Sequence, residues 1–334
     1  MKAIRKLLLS LLCLGLCACT ETVKPEEKRI KIGISVYDSY DTFISEMISD
    51  FNAAVAGNEM ITVEINNAAK SQQTQNKQAE AMIDSGCDVI CINLVDRTSP
   101  RKIIDLARKN NVPVIFFNRE LVEEDLMQWE ELYYIGADAE QSGIMEGEVA
   151  AEAYERENGD KNDDGIIQYV ILEGEAGHQD AIVRTQKSVD TLIDKGFQVD
   201  KIASLTANWN RSQAQTRMSQ LIETYGSEIE MVLGNNDDMA LGAIDAYKAA
   251  GIERKDWPVI VGIDGIAAGL EAVRNGEMAG TVFNDQKGQA NAMALLAITL
   301  ASNGSLNSLG LTSGKYIRLP YQKVTSDNIS DYLE

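Results

Sequence analysis

The chain has 334 residues, 45% of them hydrophobic and 25% charged, which is enough for two domains with a core each and too balanced for disorder. Its formal net charge of −20 argues against nucleic acid and anionic lipid surfaces as direct partners. That balance suits a protein that binds a neutral or cationic small solute.

At the amino terminus, Lys2, Arg5 and Lys6 precede the apolar run LLLSLLCLGL. The run is too short for an ordinary membrane span, and residues 1–18 read as a processing signal. Leu16, Ala18 and Cys19 close it in a pattern similar to the lipobox of bacterial lipoproteins, so Cys19 is the expected lipidation site. Residues 19–29 are then a polar tether to an outward-facing membrane surface. A cleaved secretory signal without lipid is the plainer alternative. Either way Lys2, Arg5 and Lys6 leave with the signal, and the net charge falls from −20 to −23.

The body opens with Ile30, Ile32, Ile34 and Val36 in RIKIGISVYD, a strand, and a helical mixture follows Thr42. The same unit recurs at ITVEI, DVICINL, VPVIFFN, IIQYVILEG, IEMVLGNND, PVIVGID and AGTVFND, each followed by a helical stretch. Alternation of this kind predicts an α/β fold with parallel sheets, helices on both faces and right-handed crossovers. Cys87 and Cys91 fall four apart in the third strand, about 13 Å at ~3.3 Å per residue, too far for a disulfide. They are expected to be buried thiols.

Seven of the strands end in polar clusters: YDSYD, NLVDR, FFNRE, EGEAGHQD, GNNDD, GIDG and FNDQ. The carboxyl ends of parallel strands face the ligand crevice, so a crevice lined from both domains is expected there, although Asn and Asp also simply cap helices. The single histidine, His178, lies in one cluster with Asp180 and Arg184 following. Asp180 and Arg184 are four apart, so on a first helical turn they can pair with each other or share a ligand. No nucleophile elbow, Walker loop, dinucleotide fingerprint or paired metalloprotease histidines appear, and an enzyme reading has no support.

The stretch DKNDDGIIQYVI, residues 160–171, has the register of a calcium loop. Asp160, Asn162, Asp164 and Gln168 are oxygen donors at positions one, three, five and nine, Gly165 supplies the turn, and Ile166 offers its carbonyl. Position twelve is Ile171, inside a predicted strand, so the final carboxylate has to come from a neighbouring segment. A polar helix-to-strand turn explains the composition but not the register.

Taken together, CINLVDR, VPVIFFN, YYIGAD, GEAGHQDAIVR, NNDDMALGAIDA and AGTVFND resemble the periplasmic galactose/glucose-binding proteins of ABC sugar transporters. The resemblance covers nearly all of the chain after the signal. It implies two doubly wound parallel-sheet lobes joined by a three-segment hinge, with the ligand in the interlobe cleft. The implied lobes are 30–112 with 286–318, and 113–285 with 319–334, and the hinge segments lie near Val112–Pro113, Asn284–Gln286 and Arg318–Pro320. Sugar contacts implied by the resemblance are Asp41, Asn93, His178, Asp180, Arg184, Asn236, Asp264 and Asn284, with Phe43 and Trp209 as aromatic walls.

Those residue types suit a pyranose on physical grounds. Carboxylates accept from hydroxyls, Arg donates in a planar fork, Asn does both, and aromatic rings cover the C–H faces of the sugar. Trp209, flanked by polar TAN and NRSQ, reads as a loop-exposed indole. For the loop, the resemblance supplies Glu230 as the last ligand of one structural Ca2+, with Glu228 nearby. The implied protein is a non-enzymatic monomer that binds galactose or glucose, with an ABC permease as partner and a chemoreceptor as the second candidate. A sensor module is the alternative without transport. A repressor domain would share the fold but needs an amino-terminal helix-turn-helix, where an export signal stands.

Overall fold

A computed structural model describes residues 29–333. The expected signal, residues 1–18, and Cys19 lie outside the described residues. Two six-stranded sheets organise the chain. The first contains β1 (Ile30–Val36), β2 (Ile61–Asn67), β3 (Val89–Ile92), β4 (Val114–Phe117), β5 (Leu132–Gly136) and a late strand, β11 (Tyr316–Arg318), in the order β11-β5-β4-β3-β1-β2. The second contains β6 (Ile166–Glu173), β7 (Gln198–Thr206), β8 (Met231–Gly234), β9 (Val259–Asp264), β10 (Gly280–Phe283) and β12 (Gln322–Thr325), in the order β12-β10-β9-β8-β6-β7. All pairs are parallel except β10 with β12.

Central strands such as VICI, VIFF, MVLG and VIVGID are buried at every position. Helices cover both faces of a parallel sheet, so its inner strands read as continuous apolar runs rather than alternating ones. The helices are α1 (Thr42–Val55), α2 (Gln72–Asp84), α3 (Arg101–Asn110), α4 (Glu123–Leu126), α5 (Ala139–Glu157), α6 (Gln179–Asp194), α7 (Arg211–Tyr225), α8 (Asp237–Ala249), α9 (Ala267–Arg274) and α10 (Gln286–Ala301). Cys87 and Cys91 are free and buried.

Sheet membership moves one expected boundary. Val112–Pro113 is no crossing, because β4 and β5 both belong to the first sheet and residues 113–136 are part of the first lobe. The Asn-Asn-Val-Pro stretch marks only the end of α3, where Asn111 takes a left-handed φ of 53° as a helix stop. The chain crosses between the sheets at 137–138, at 284–285 and at 319–321. Helix α10 packs on α1 and so returns to the first lobe after the second crossing.

Four strands have no counterpart in the sequence reading. Strand β7 is a half-exposed edge strand, QVDKIASLT, with two lysine or aspartate positions facing out, and it lacks the apolar run that marks its neighbours. Strands β11 and β12 are three and four residues long, too short to carry a period. Strand β5, LYYIG, is fully buried but follows the short helix α4 with little turn chemistry to set it off.

Candidate functional site

The carboxyl ends of both sheets face one another across a narrow cleft lined by residues of both lobes, the place where open parallel sheets bind their ligands. The first lobe supplies Asp41, Phe43, Ile44, Asn118 and Arg119, and the second supplies His178, Asp180, Arg184, Trp209, Asn236 and Asp264.

Asp41 follows β1 and caps α1, its Oδ1 accepting from the Ile44 amide at 3.0 Å. Its Oδ2 accepts from the Tyr37 hydroxyl at 2.6 Å. Burial raises the Asp41 carboxyl above its usual range, with the Tyr37 and Ile44 donors opposing that rise. Phe43, on the first turn of α1, is buried.

His178 caps α6, and its Nδ1 accepts from the Asp180 amide at 3.2 Å. An accepting Nδ1 leaves the proton of the neutral ring on Nε2, a single donor for a ligand oxygen. Burial pushes the imidazole pKa down to about 4, so the ring is neutral at physiological pH. The Trp209 indole meets His178 edge to face, 5.2 Å between centroids at 79°. Trp209 is only 8% exposed, which corrects the expectation of a loop-exposed indole. Asn208 and Trp209 both take left-handed φ values, 54° and 59°, and this turn swings the ring back over Gly174.

Arg184 is the hub of the second lobe. Buried, it donates from Nε to Ser142 Oγ at 3.1 Å, from Nη1 to the Asn235 carbonyl at 2.8 Å and from Nη2 to the Tyr321 hydroxyl at 2.9 Å. Asp180 stands 3.6 Å away on the same helix face and Asp264 3.7 Å away at the end of β9. Both are just outside hydrogen-bond range, so the guanidinium has donors to spare between two carboxylates. Asp264 has φ 122°, a backbone conformation that costs a non-glycine residue of order 1–3 kcal/mol. Burial raises its carboxyl well above the usual range, with Arg184 acting against that. Asn236 caps α8, its Oδ1 accepting from the Met239 amide at 3.0 Å.

Two expected contacts do not line the cavity. Asn93 lies fully buried behind it, accepting from the Tyr37 amide at 3.2 Å and donating to the Phe117 carbonyl and to Asn118 Oδ1 at 3.1 and 3.2 Å. Its hydrogen-bonding groups are taken up inside the first lobe, and the wall position belongs to Asn118, which it orients. Asn284 accepts from Gln289 at 2.6 Å and hydrogen-bonds Asp264, so it too acts from behind. The sequence reading missed Asn118 and Arg119 although both stand in the FFNRE cluster. The Asn after Phe117 had the same strand-end signal as the Asn after Ile92. Nothing in the sequence marked Ser142, Asn235 or Tyr321 as holders of Arg184.

The loop at 160–168 lies at the other end of the second lobe. Asp164 and Gly165 amides donate to Asp160 at 3.1 and 3.0 Å, and the Ile166 amide donates to Asp164 at 2.8 Å. Asn162 and Gln168 side chains reach Asp164 at 3.1 and 2.8 Å, and Asn162 reaches Gln168 at 3.2 Å. Glu230, buried just before β8, accepts from the Lys161 amide at 2.7 Å, the Tyr154 hydroxyl at 3.0 Å and the Gln168 amide at 3.4 Å. Glu228 ends a short 3-10 turn and has no contact with the loop among those described. Among the described residues no three His, Cys, Asp or Glu side chains form a metal-binding group. Any ion here therefore depends on amide and carbonyl oxygens to complete its shell. Half-turn rotations of the Asn162 and Gln168 amides exchange NH2 for oxygen and supply such donors.

The sequence profile of the periplasmic binding protein domain matches residues 32–305. The chain belongs to the periplasmic binding protein family. It is 34% identical over 310 residues to the D-galactose/methyl-galactoside binding periplasmic protein MglB of Haemophilus influenzae, covering 91% of this chain and 92% of that one. It is 32% identical to the xylitol-binding protein of Mycolicibacterium smegmatis, covering 85% of this chain and 76% of the relative. Among solved structures, an ABC transporter solute binding protein from Bacillus halodurans with bound myo-inositol superposes with a TM-score of 0.77 at 28% identity, covering 92% and 99% of the two chains. This periplasmic binding protein is a binding protein and not an enzyme.

Proposed function

We propose that this sugar-binding protein of the ABC-transporter class takes D-galactose or D-glucose as a pyranose, closes around it as a monomer and presents the closed form to a membrane permease. The observation that carries this reading is the cavity itself, where Asp41, Asp180, Asp264, Asn236, Arg184 and His178 surround a space flanked by Phe43 and Trp209. The polar groups match a ring of hydroxyls that both donate and accept, and the two aromatic side chains match apolar C–H faces. Because the donors come from both lobes, a bound sugar favours the closed arrangement by as much as its contacts exceed those in an open one. The relative in Haemophilus influenzae, aligned over nine-tenths of both chains, is named for D-galactose and methyl-galactoside, which supports a hexose. A polyol or cyclitol is the second reading, favoured by the xylitol-binding relative and by the myo-inositol complex. A thermal-shift panel of D-galactose, D-glucose, ribose, a disaccharide, xylitol and myo-inositol separates the two. The hexoses are expected to raise the melting temperature most, and a largest shift with ribose, the disaccharide or a polyol overturns the hexose reading.

The same reading assigns one structural Ca2+ to Asp160, Asn162, Asp164, the Ile166 carbonyl, Gln168 and Glu230. Support comes from the donor set, which is all oxygen once both amides are turned, and from the buried Glu230 carboxylate reaching the loop from β8's edge. When bound, the ion supplies positive charge that offsets these carboxylates and ties the loop to the next strand. A lipid on Cys19 would tether the protein on the outer face of a membrane, and mass spectrometry of the processed amino terminus tests that assignment. A chemoreceptor is the second candidate reader of the closed form.

A further inference from the structure

The two lobes touch across the cleft without help from the ligand. Arg119 of the first lobe donates from Nη2 to Glu175 Oε2 of the second at 2.9 Å. Lys70, also of the first lobe, lies 3.2 Å from Glu175 Oε1, so each oxygen of one carboxylate meets a cation from the opposite lobe. Arg119 is held on its own side, 3% exposed, with its guanidinium 3.4 Å over the Tyr37 ring and Nη1 donating to the Val95 carbonyl at 3.1 Å. Tyr37 in turn donates to Asp41 at 2.6 Å. On the other side the Glu175 carbonyl accepts from the His178 amide at 3.0 Å. A continuous run of contacts, Asp41 to Tyr37 to Arg119 to Glu175 to His178, therefore joins a cavity residue of one lobe to a cavity residue of the other around the ligand space.

We infer that Arg119, Lys70 and Glu175 form a latch that sets how long a ligand is held, with Glu175 and Lys70 acting as positioning residues. Neither Glu175 nor Lys70 lines the cavity, so they act on closure and not on the sugar. Every link but the cross-cleft ion pairs lies within one lobe and survives opening. Closure thus makes the Glu175 and Lys70 contacts whichever sugar is bound, and these two change all affinities by one factor, while the cavity residues, Arg119 among them, set the preference among sugars. Burial alone would raise the Glu175 carboxyl, but Arg119 and Lys70 hold it below its usual range, so it is charged in the closed form. The Thr42 hydroxyl, 2.6 Å from Asp238 on another part of the cleft, is a separate cross-lobe contact that remains when the latch is removed.

The inference rests on the sugar reading for its affinity arm and is independent of it for its distance arm. Glu175→Gln and Lys70→Met are compared with the unaltered chain in two measurements. One is D-galactose and D-glucose affinity with stopped-flow release rates, and the other is the interlobe distance of the sugar-free protein by fluorescence energy transfer. Glu175→Gln is expected to release sugar about tenfold faster, as for loss of a partly buried charge pair across an interface, with the galactose-to-glucose affinity ratio unchanged. The sugar-free variant should also shift to longer interlobe distances. Lys70→Met, at a side chain 44% exposed, should move both readouts in the same direction by less, and it keeps the test open if Glu175→Gln misfolds. Unchanged release and unchanged distance overturn the latch. A changed affinity ratio also overturns it, because Glu175 would then be acting on the sugar. If the unaltered chain binds no sugar, the sugar reading fails while the distance measurement still decides the latch.

Discussion

Replacing Arg184 with Lys keeps a positive charge between Asp180 and Asp264 and removes the planar fork. In the structure three different nitrogens serve three acceptors, Ser142 Oγ at 3.1 Å, the Asn235 carbonyl at 2.8 Å and the Tyr321 hydroxyl at 2.9 Å. One ammonium on a flexible stem cannot occupy three positions spread over a guanidinium, so at most one of these bonds survives well formed. Hydrogen bonds to a charged donor are worth about 1.5–3 kcal/mol each. Ser142 and Tyr321 are hydroxyls that can turn to other partners, which trims the loss, so about 3 kcal/mol of the second lobe's stability should go. Domains of this kind have about 5–15 kcal/mol in total, so the variant should still fold. Urea denaturation followed by calorimetry at a temperature where the variant is native separates the two effects. The expected result is a clear fall in the urea midpoint together with sugar affinity weakened by at least tenfold, since Lys also misplaces the donors that face the cavity. An unfolding free energy within about 1 kcal/mol of the original and an unchanged affinity would refute the role given to Arg184.

Three further outcomes follow from single features. A Cβ at Gly174 would overlap the Trp209 indole, so Gly174→Ala should push that wall into the cavity. It should cost about 1–3 kcal/mol by overpacking and weaken sugar binding, and an unaltered affinity counts against Trp209 as a wall. The chain has one histidine, so proton NMR shows one imidazole to titrate. Its pKa of about 4 lies below the unfolded value near 6.5, so the folded state binds fewer protons and stability is lost as pH falls from about 6.5 to about 4. A titration midpoint near 6.5 would contradict the burial of His178. For the loop, Glu230→Gln should weaken calcium binding and chelator should lower the melting temperature of the original chain, whereas no effect of either removes the calcium assignment.

Much of this was readable because strand ends in a parallel sheet converge on one crevice, so a list of strand-end polar clusters is already a list of wall candidates. His178, Asp180 and Arg184 illustrate this, since a cap residue and a four-residue spacing fix their mutual positions within one helical turn. Asn93 and Asn118 show the limit. Both follow an apolar strand of the same sheet, and only strand order decides which faces the second lobe and which supports it from behind. The lobe boundary failed for a related reason. Asn111 and Pro113 end a helix just as they would end a domain, and membership of β4 and β5 in the first sheet is a long-range pairing with no local mark. The holders of Arg184 were hidden because Ser142, Asn235 and Tyr321 come from α5, the end of β8 and the third crossing, segments that meet only in the folded lobe. Trp209 was misjudged because its polar neighbours describe the turn, while two left-handed residues decide where the ring goes.

A hexopyranose in the cavity between the lobes is the central claim. Isothermal titration of the intact chain with D-galactose and with D-glucose, repeated on Asp41→Ala, tests it most directly. The expected result is saturable binding at one site per chain for at least one of the two sugars, and strong weakening in the variant, which removes the acceptor between Tyr37 and the cavity. No heat from either hexose at millimolar concentration, or binding that Asp41→Ala leaves intact, would contradict it.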